Sequence, residues 1–429
     1  MSRVTLTALV DSATAWRRLA VALATMTVGS SAMYVVAVVL PSVQAEFGIA
    51  RADASLPYTL LMIGFGVGGV FMGRLADRRG IALPLLIGAG GLGLGFVAAG
   101  LSGSIWTFAI VHGLLLGLVG ASASFAPLVA DTSLWFLRRR GVAVAICASG
   151  NYVAGAIWPP IVQHFVESVG WRQTYIGLGI FSAAAMTTLA LCMRGPRPAT
   201  APVAAVARPG APMPSMRPFG LSLNTAQALL CVAGVACCVA MSMPQVHIVA
   251  YCGDLGYGAA VGAQMLSLML ACGVVSRLVS GAICDRIGGL RTLLLGSMLQ
   301  GLALLLFLPF DSLASLYIVS ALFGLFQGGI VPAYAIIVRE YFPPAEAGAR
   351  VGTVLMCTLL GMALGGWLSG KVFDLTGSYH AAFVNGIGWN LVNLAVVLFL
   401  LSRVRGRSYR SEKNGSSTSN SATAPWTMR

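Results

Sequence analysis

The chain has 429 residues, 57% hydrophobic and only 9% charged, with a net charge of +14 and a mean hydropathy of +0.85. A soluble protein carries roughly a quarter charged residues, so this one must bury its apolar surface in lipid. The excess of positive charge is not a nucleic-acid footprint, because the Lys and Arg lie in short segments between apolar runs.

About twelve such runs can be placed. A span of ~20 apolar residues at ~1.5 Å per residue crosses a hydrocarbon core of ~30 Å. The first six fall near 17–40, 54–75, 82–102, 105–130, 141–163 and 172–193. The second six fall near 222–247, 259–283, 290–309, 313–338, 349–370 and 380–402. The fold class is therefore all-α, a polytopic membrane protein. Of the 27 Lys and Arg, all but Arg51, Arg172, Lys371 and Arg277 fall on the side that carries both termini. The positive-inside rule makes that side cytoplasmic, in a plasma (inner) membrane. The first span is too long for a removable signal peptide. The nine Cys show no metal-binding spacing and read as reduced packing residues.

Residues 1–194 are expected to form one six-helix bundle and 219–403 a second. Between them, 195–218 is rich in Pro, Ala and Arg and reads as a cytoplasmic linker; 404–429 reads as a disordered tail. The halves repeat. Gly73-Arg-Leu-Ala-Asp77-Arg78-Arg79-Gly80 closes span two and Gly281-Ala-Ile-Cys-Asp285-Arg286-Ile-Gly288 closes span eight, both G-x-x-x-D-R-x-G at equivalent positions 208 residues apart. Such a repeat is the architecture of two bundles rocking about a central site. Gly64/Gly68, Gly69/Gly73, Gly361/Gly365 and Gly366/Gly370 are small-x-x-x-small pairs suited to close helix approach.

Arg277 stands inside span eight, about 12 Å before Asp285 by helical rise. A guanidinium there costs at least ~2.5 kcal/mol on insertion scales and marks a substrate or ion pathway by default. Its fork matches a carboxylate, so Arg277 reads as an anion ligand. Asn151 and Tyr152 in span five and Tyr334 in span ten stand beside proline breaks at corresponding places in the two halves, where they would shape the pocket. In span seven, His247 and Asp254 are seven residues apart around Pro244. They share a face if the helix continues, with His247 as a pocket residue and Asp254 as a proton site titrating against Arg277. His112 in span four reads as a structurally satisfied histidine. Asp131, at the end of span four, is the expected carboxylate partner of Arg78.

The duplicated G-x-x-x-D-R-x-G resembles the major facilitator superfamily over about residues 15–405. By that resemblance, Gly73, Asp77, Arg78 and Gly80, with their repeats Gly281, Asp285 and Arg286, form a conformational latch at the cytoplasmic face. The segments Arg138-Arg-Arg-Gly141, Ser149-Gly-Asn-Tyr152, Gly170-Trp-Arg172, Arg277-Leu-Val-Ser-Gly281 and Phe373-Asp-Leu-Thr-Gly-Ser-Tyr379 are similar to those of bacterial monocarboxylate porters, the oxalate/formate antiporter-like group. That resemblance implies that Arg277 binds the substrate carboxylate. The animal members carry Asp where Gly273 stands, and their acidic-glycine-tryptophan pattern and late Lys are missing from span one here.

The reading is a secondary transporter of small monocarboxylates or related organic anions, coupled to protons, working by alternating access as a single subunit. It needs no cofactor or metal, and no nucleotide-binding loop, nucleophile elbow or metal motif suggests an enzyme. The alternatives are a proton-coupled drug exporter, which calls for acids deep in the spans, and a non-transporting membrane sensor.

Overall fold

The computed structural model describes residues 10–195 and 216–419, without the side chains of residues 140, 344, 345 and 405–419. Among the described residues there is no strand, and twelve helices are long and apolar enough to cross a membrane. They are α1 (Ala13–Phe47), α2 (Arg51–Arg79), α3 (Ala82–Gly100), α4 (Ile105–Trp135), α5 (Gly141–Val169) and α6 (Trp171–Cys192), then α7 (Leu223–Asp254), α8 (Ala259–Ile287), α9 (Gly289–Leu306), α10 (Leu313–Tyr341), α11 (Glu346–Thr376) and α12 (Tyr379–Val404).

Polar ends carry several helices past their apolar runs: α2 starts at Arg51 and stops at Arg79. Both copies of the repeated motif end on a glycine that stops the helix with a positive φ, +89° at Gly80 and +86° at Gly288. This is a conformation that a side chain would strain, which is why the motif closes on Gly. The linker expected at 195–218 lies largely outside the described residues. The helix that begins as α12 runs on to Ser419, into the stretch read as a disordered tail. The Arg, Lys and Glu of 403–413 are good helix formers, and no proline interrupts them.

Three helices are broken internally: α1 at Ser30, α4 by a π-helical stretch (His112–Gly120) with a 3₁₀ turn (Ala121–Ala123), and α10 at Gly328–Gly329. Irregular backbone at membrane depth is tolerated only inside protein or against a water-filled cleft. Glycine permits the close packing that keeps it there. A methyl on Gly64 or Gly68 of α2 would run into the Gly113 or Leu118 carbonyls of α4, and one on Gly361 or Gly365 of α11 into those of Val235 and Val239 in α7. The pair Gly69/Gly73 has no neighbouring atom within 4 Å of where a Cβ would stand.

The first six helices meet the last six along α2/α11 and α5/α8. Moving from one face to the other, the cross-contacts are Ala52 against Gly370, Tyr58 against Gly366, Gly66 against Met356, and Tyr152 against Gly273. Beyond these, at the arginine-rich face that carries residues 80 and 288, nothing lies within 4 Å of the Cβ positions of Gly73, Gly141, Gly281, Gly348 and Gly352. The halves are closed at the Arg51 face and part towards the other. Overpacking a tight contact costs ~1–3 kcal/mol. Gly64→Val should therefore lower the thermal midpoint of the purified protein by several degrees, whereas Gly69→Val should not. Equal melting of the two variants would refute this account of the α2/α4 contact.

Candidate functional site

Arg277 sits where the halves part. It is 9% exposed, and its guanidinium lies over the Tyr152 ring of α5 at 4.1 Å. Nη1 donates to the carbonyl of Ala148, also in α5, at 2.8 Å, and Nε reaches the Gly328 carbonyl at 3.4 Å. That second carbonyl is at the break in α10, so the interrupted helix supplies an acceptor to a buried cation. Each contact has a local cause: α8 is continuous through Arg277, and Gly273, one turn earlier, leaves room for the Tyr152 ring. No carboxylate among the described residues pairs with Arg277; beside the two carbonyls, its side chain has the Tyr152 side chain as partner.

Asn151 lies beside Tyr152 and is 7% exposed. Its Oδ1 accepts from the Tyr34 hydroxyl at 2.8 Å, and its Nδ2 donates to Met33 Sδ at 3.2 Å. Tyr34, absent from the sequence reading, thus fixes the orientation of the amide from α1. Tyr334 is not part of this group. It is fully buried, and its hydroxyl donates to Asn393 Oδ1 at 3.1 Å, in a polar core with Ser297 of α9. The proline beside it let the sequence place it on the cleft, but its helix face turns to α12. His112 bonds the Phe108 carbonyl at 2.7 Å and the Tyr175 hydroxyl at 3.1 Å, a satisfied buried histidine.

The expected pairing of Asp254 with Arg277 is wrong. Asp254 ends α7 at the opposite face, where its carboxylate takes Arg51 at 3.2 Å. Arg51 opens α2 in the first half, and everything it binds belongs to the second. Its Nη1 donates to the Tyr379 hydroxyl at 2.8 Å, and its guanidinium lies 4.7 Å from the Phe373 ring centroid. Asp374 accepts the backbone N–H groups of Arg51 and Ala52, both at 2.8 Å, so an acid of α11 caps the N-terminus of α2.

His247 joins this cluster instead of the Arg277 site. Its Nε2–H donates to the Gly366 carbonyl at 2.8 Å, leaving Nδ1 to accept from the Tyr379 hydroxyl at 3.3 Å. Because α7 continues through Pro244, His247 and Asp254 both reach the Tyr379–Arg51 pair. Sequence reasoning missed Arg51, Asp374 and Tyr379 as a unit. The available signals were that Arg51 is one of few basic residues on its face and that Asp374 and Tyr379 share one short motif.

Asp77, Arg78, Asp285 and Arg286 are exposed at the parted ends, and Gly73 and Gly281 face no neighbour. Asp131 takes Arg18 of α1 at 3.0 Å, not Arg78, because α1 and α4 pack together within one half while Arg78 points outward.

The model of the Major Facilitator Superfamily matches the chain over residues 19–315 and again over 230–428. The chain belongs to that superfamily, and with it to a class of membrane transporters. It is 27% identical over 350 residues to monocarboxylate transporter 13 of Rattus norvegicus, covering 81% of this chain and 78% of the relative. It is 26% identical to the MFS-type transporter opdF of Penicillium oxalicum, covering 67% and 66%. The agnestins efflux protein AgnL12 of Paecilomyces divaricatus is 22% identical, with 78% and 74% covered. Among solved structures, a mutant of the peptide transporter POT superposes with a TM-score of 0.72 at 12% identity, covering 94% of this chain and 98% of that one. These structures show the fold alone.

If the Arg51 cluster holds the closed face together, Arg51→Gln and Asp374→Asn should open it. Nitroxide labels in the α1–α2 and α11–α12 loops of a cysteine-free background would report this as a severalfold rise in the long-distance population. An unchanged distance distribution in both variants would rule the cluster out as the closure.

Proposed function

We propose that the protein is a secondary active transporter of small monocarboxylates and related organic anions, working by alternating access. The observation that carries this reading is Arg277: a buried cation at the junction of the two halves that no carboxylate among the described residues balances. A substrate carboxylate would take Nη2 and compete with Ala148 for Nη1, with Tyr152 and Asn151 beside it. Relatives named as monocarboxylate transporters support the class of anion.

The arginine-rich face is assigned to the cytoplasm by the positive-inside rule, which places both termini there in a plasma membrane. The conformation described is then inward-facing, and the Arg51 cluster lies outside. Proton coupling enters at that cluster. Asp254 and Asp374 bind Arg51 and the start of α2, with Tyr379 and His247 behind, only while the face is closed. Protonating either acid would weaken closure and favour the outward-open state, linking external protons to the transport cycle. Asp77, Arg78, Asp131, Asp285 and Arg286 would serve the opposite closure, which forms when the outer one opens.

The test is uptake of a panel of labelled carboxylates into proteoliposomes, with and without an inward proton gradient. Removing one partner of a desolvated charge pair costs ~2–5 kcal/mol, so Arg277→Ala should reduce uptake by about 30-fold or more at unchanged protein level. Wild-type uptake by that variant would refute the assignment. Silence across the panel together with expulsion of lipophilic compounds would favour export instead, as the efflux protein among the fungal relatives suggests.

A further inference from the structure

The two halves treat the helix that follows the repeated motif differently. In the second half Gly288 leads into α9, and the first N–H of α9, from Gly289, donates to both oxygens of Glu340 in α10, at 3.3 and 3.1 Å. A carboxylate there answers the positive end of the helix. In the first half Gly80 leads into α3, whose opening turn holds no acid and receives no side-chain cap among the described residues. The acid of α4, Asp131, is held by Arg18 instead, through Nε at 3.1 Å and Nη2 at 3.0 Å.

A cavity of about 380 Å³ opens at this helix end, lined by Arg18, Arg79 and Arg194 together with Gly80, Ile81 and Ala82. Arg18 is fixed in place: its side chain is 10% exposed, and Nη1 also donates to the Met193 carbonyl at 2.9 Å. Arg79 and Arg194 are exposed, and their guanidinium groups make no hydrogen bond or ion pair with a described residue. At the 208-residue spacing of the repeat, Ile287 stands where Arg79 does. The second half supplies its own anion at this point through Glu340 and carries Ile287 in place of Arg79; in the first half the acid of α4 is turned to Arg18 and Arg79 faces the helix end.

We propose that the cavity between α1, α3 and α6 binds a phosphate group, presented by the membrane as the headgroup of an anionic phospholipid. The helix N–H groups and two unpaired guanidinium groups suit phosphate oxygens. The position suits a lipid. Along the same two helices, Ile87 and Leu94 of α3 and Leu191 and Ile180 of α6 are exposed apolar side chains, against which acyl chains can lie. The site is in the first half alone and is independent of the transported substrate.

The test uses the purified full-length chain. Native mass spectrometry in mixtures of phosphatidylglycerol and phosphatidylcholine should show a preference for the anionic lipid. Each Arg near an anionic surface contributes ~1 kcal/mol, so Arg79→Gln with Arg194→Gln should reduce the preference about tenfold or more. Arg138→Gln with Arg139→Gln, on the same face but outside the cavity, should leave it unchanged. A double variant that keeps the wild-type preference, or a control pair that loses as much, would show interfacial charge alone and overturn the site. Inorganic phosphate, titrated in detergent against chloride of equal ionic strength, separates the sources. A rise in thermal midpoint that the double variant lacks, without any lipid preference, would keep the cavity as a phosphate site and overturn the lipid assignment.

Discussion

A guanidinium at membrane depth has to be solvated by something, and for Arg277 the two halves of the protein share that task. Ala148 and Tyr152 come from the first half and Gly328 from the second. The ion cannot be left bare, because an unsatisfied charge in a low-dielectric interior costs several kcal/mol. Any movement that parts α5 from α8 must therefore give Arg277 a new partner, water or an anion. Its solvation is bound up with the relation between the halves.

The buried arginine at the closed face shows the contrast. Arg51 lies among Asp254, Asp374 and Tyr379, so its charge is balanced within the chain and its role is to hold. Arg277 has dipoles and a ring around it but no counter-charge among the described residues. Two cations of one type thus differ by what faces them. In the proposed function the unbalanced one receives the ligand, and the balanced one closes a face.

Much of this was legible in the sequence. The spans follow from apolar runs that lipid requires, and the repeat from two motifs whose closing glycines take a positive φ. Arg277 stood out because a charge is rare in such a run. The partners were not legible. Whether Asp254 meets Arg277 or Arg51 depends on where along its helix each sits: Asp254 ends α7 at one face, whereas Arg277 lies about 27 Å along α8 from that face, at ~1.5 Å per residue. Tyr334 and His247 bond away from Arg277 for the same reason, since tertiary packing decides which neighbouring helix orients a polar residue near a proline. Asp131 has two candidate arginines in sequence, Arg18 and Arg78, and only tertiary packing chooses between them.

The cap that Asp374 places on α2 bears on how the polypeptide is divided. By sequence the chain looks like two fused copies of one unit, separable at the segment between α6 and α7. Yet the opening turn of a helix in the first copy is finished by a carboxylate of the second. Severed there, each fragment loses its half of that cap: the amide groups of Arg51 and Ala52 turn to water, and Asp374 has no helix to terminate. Each fragment carries half of a recognition element for the other, so co-expressed pieces have a built-in means of finding their register.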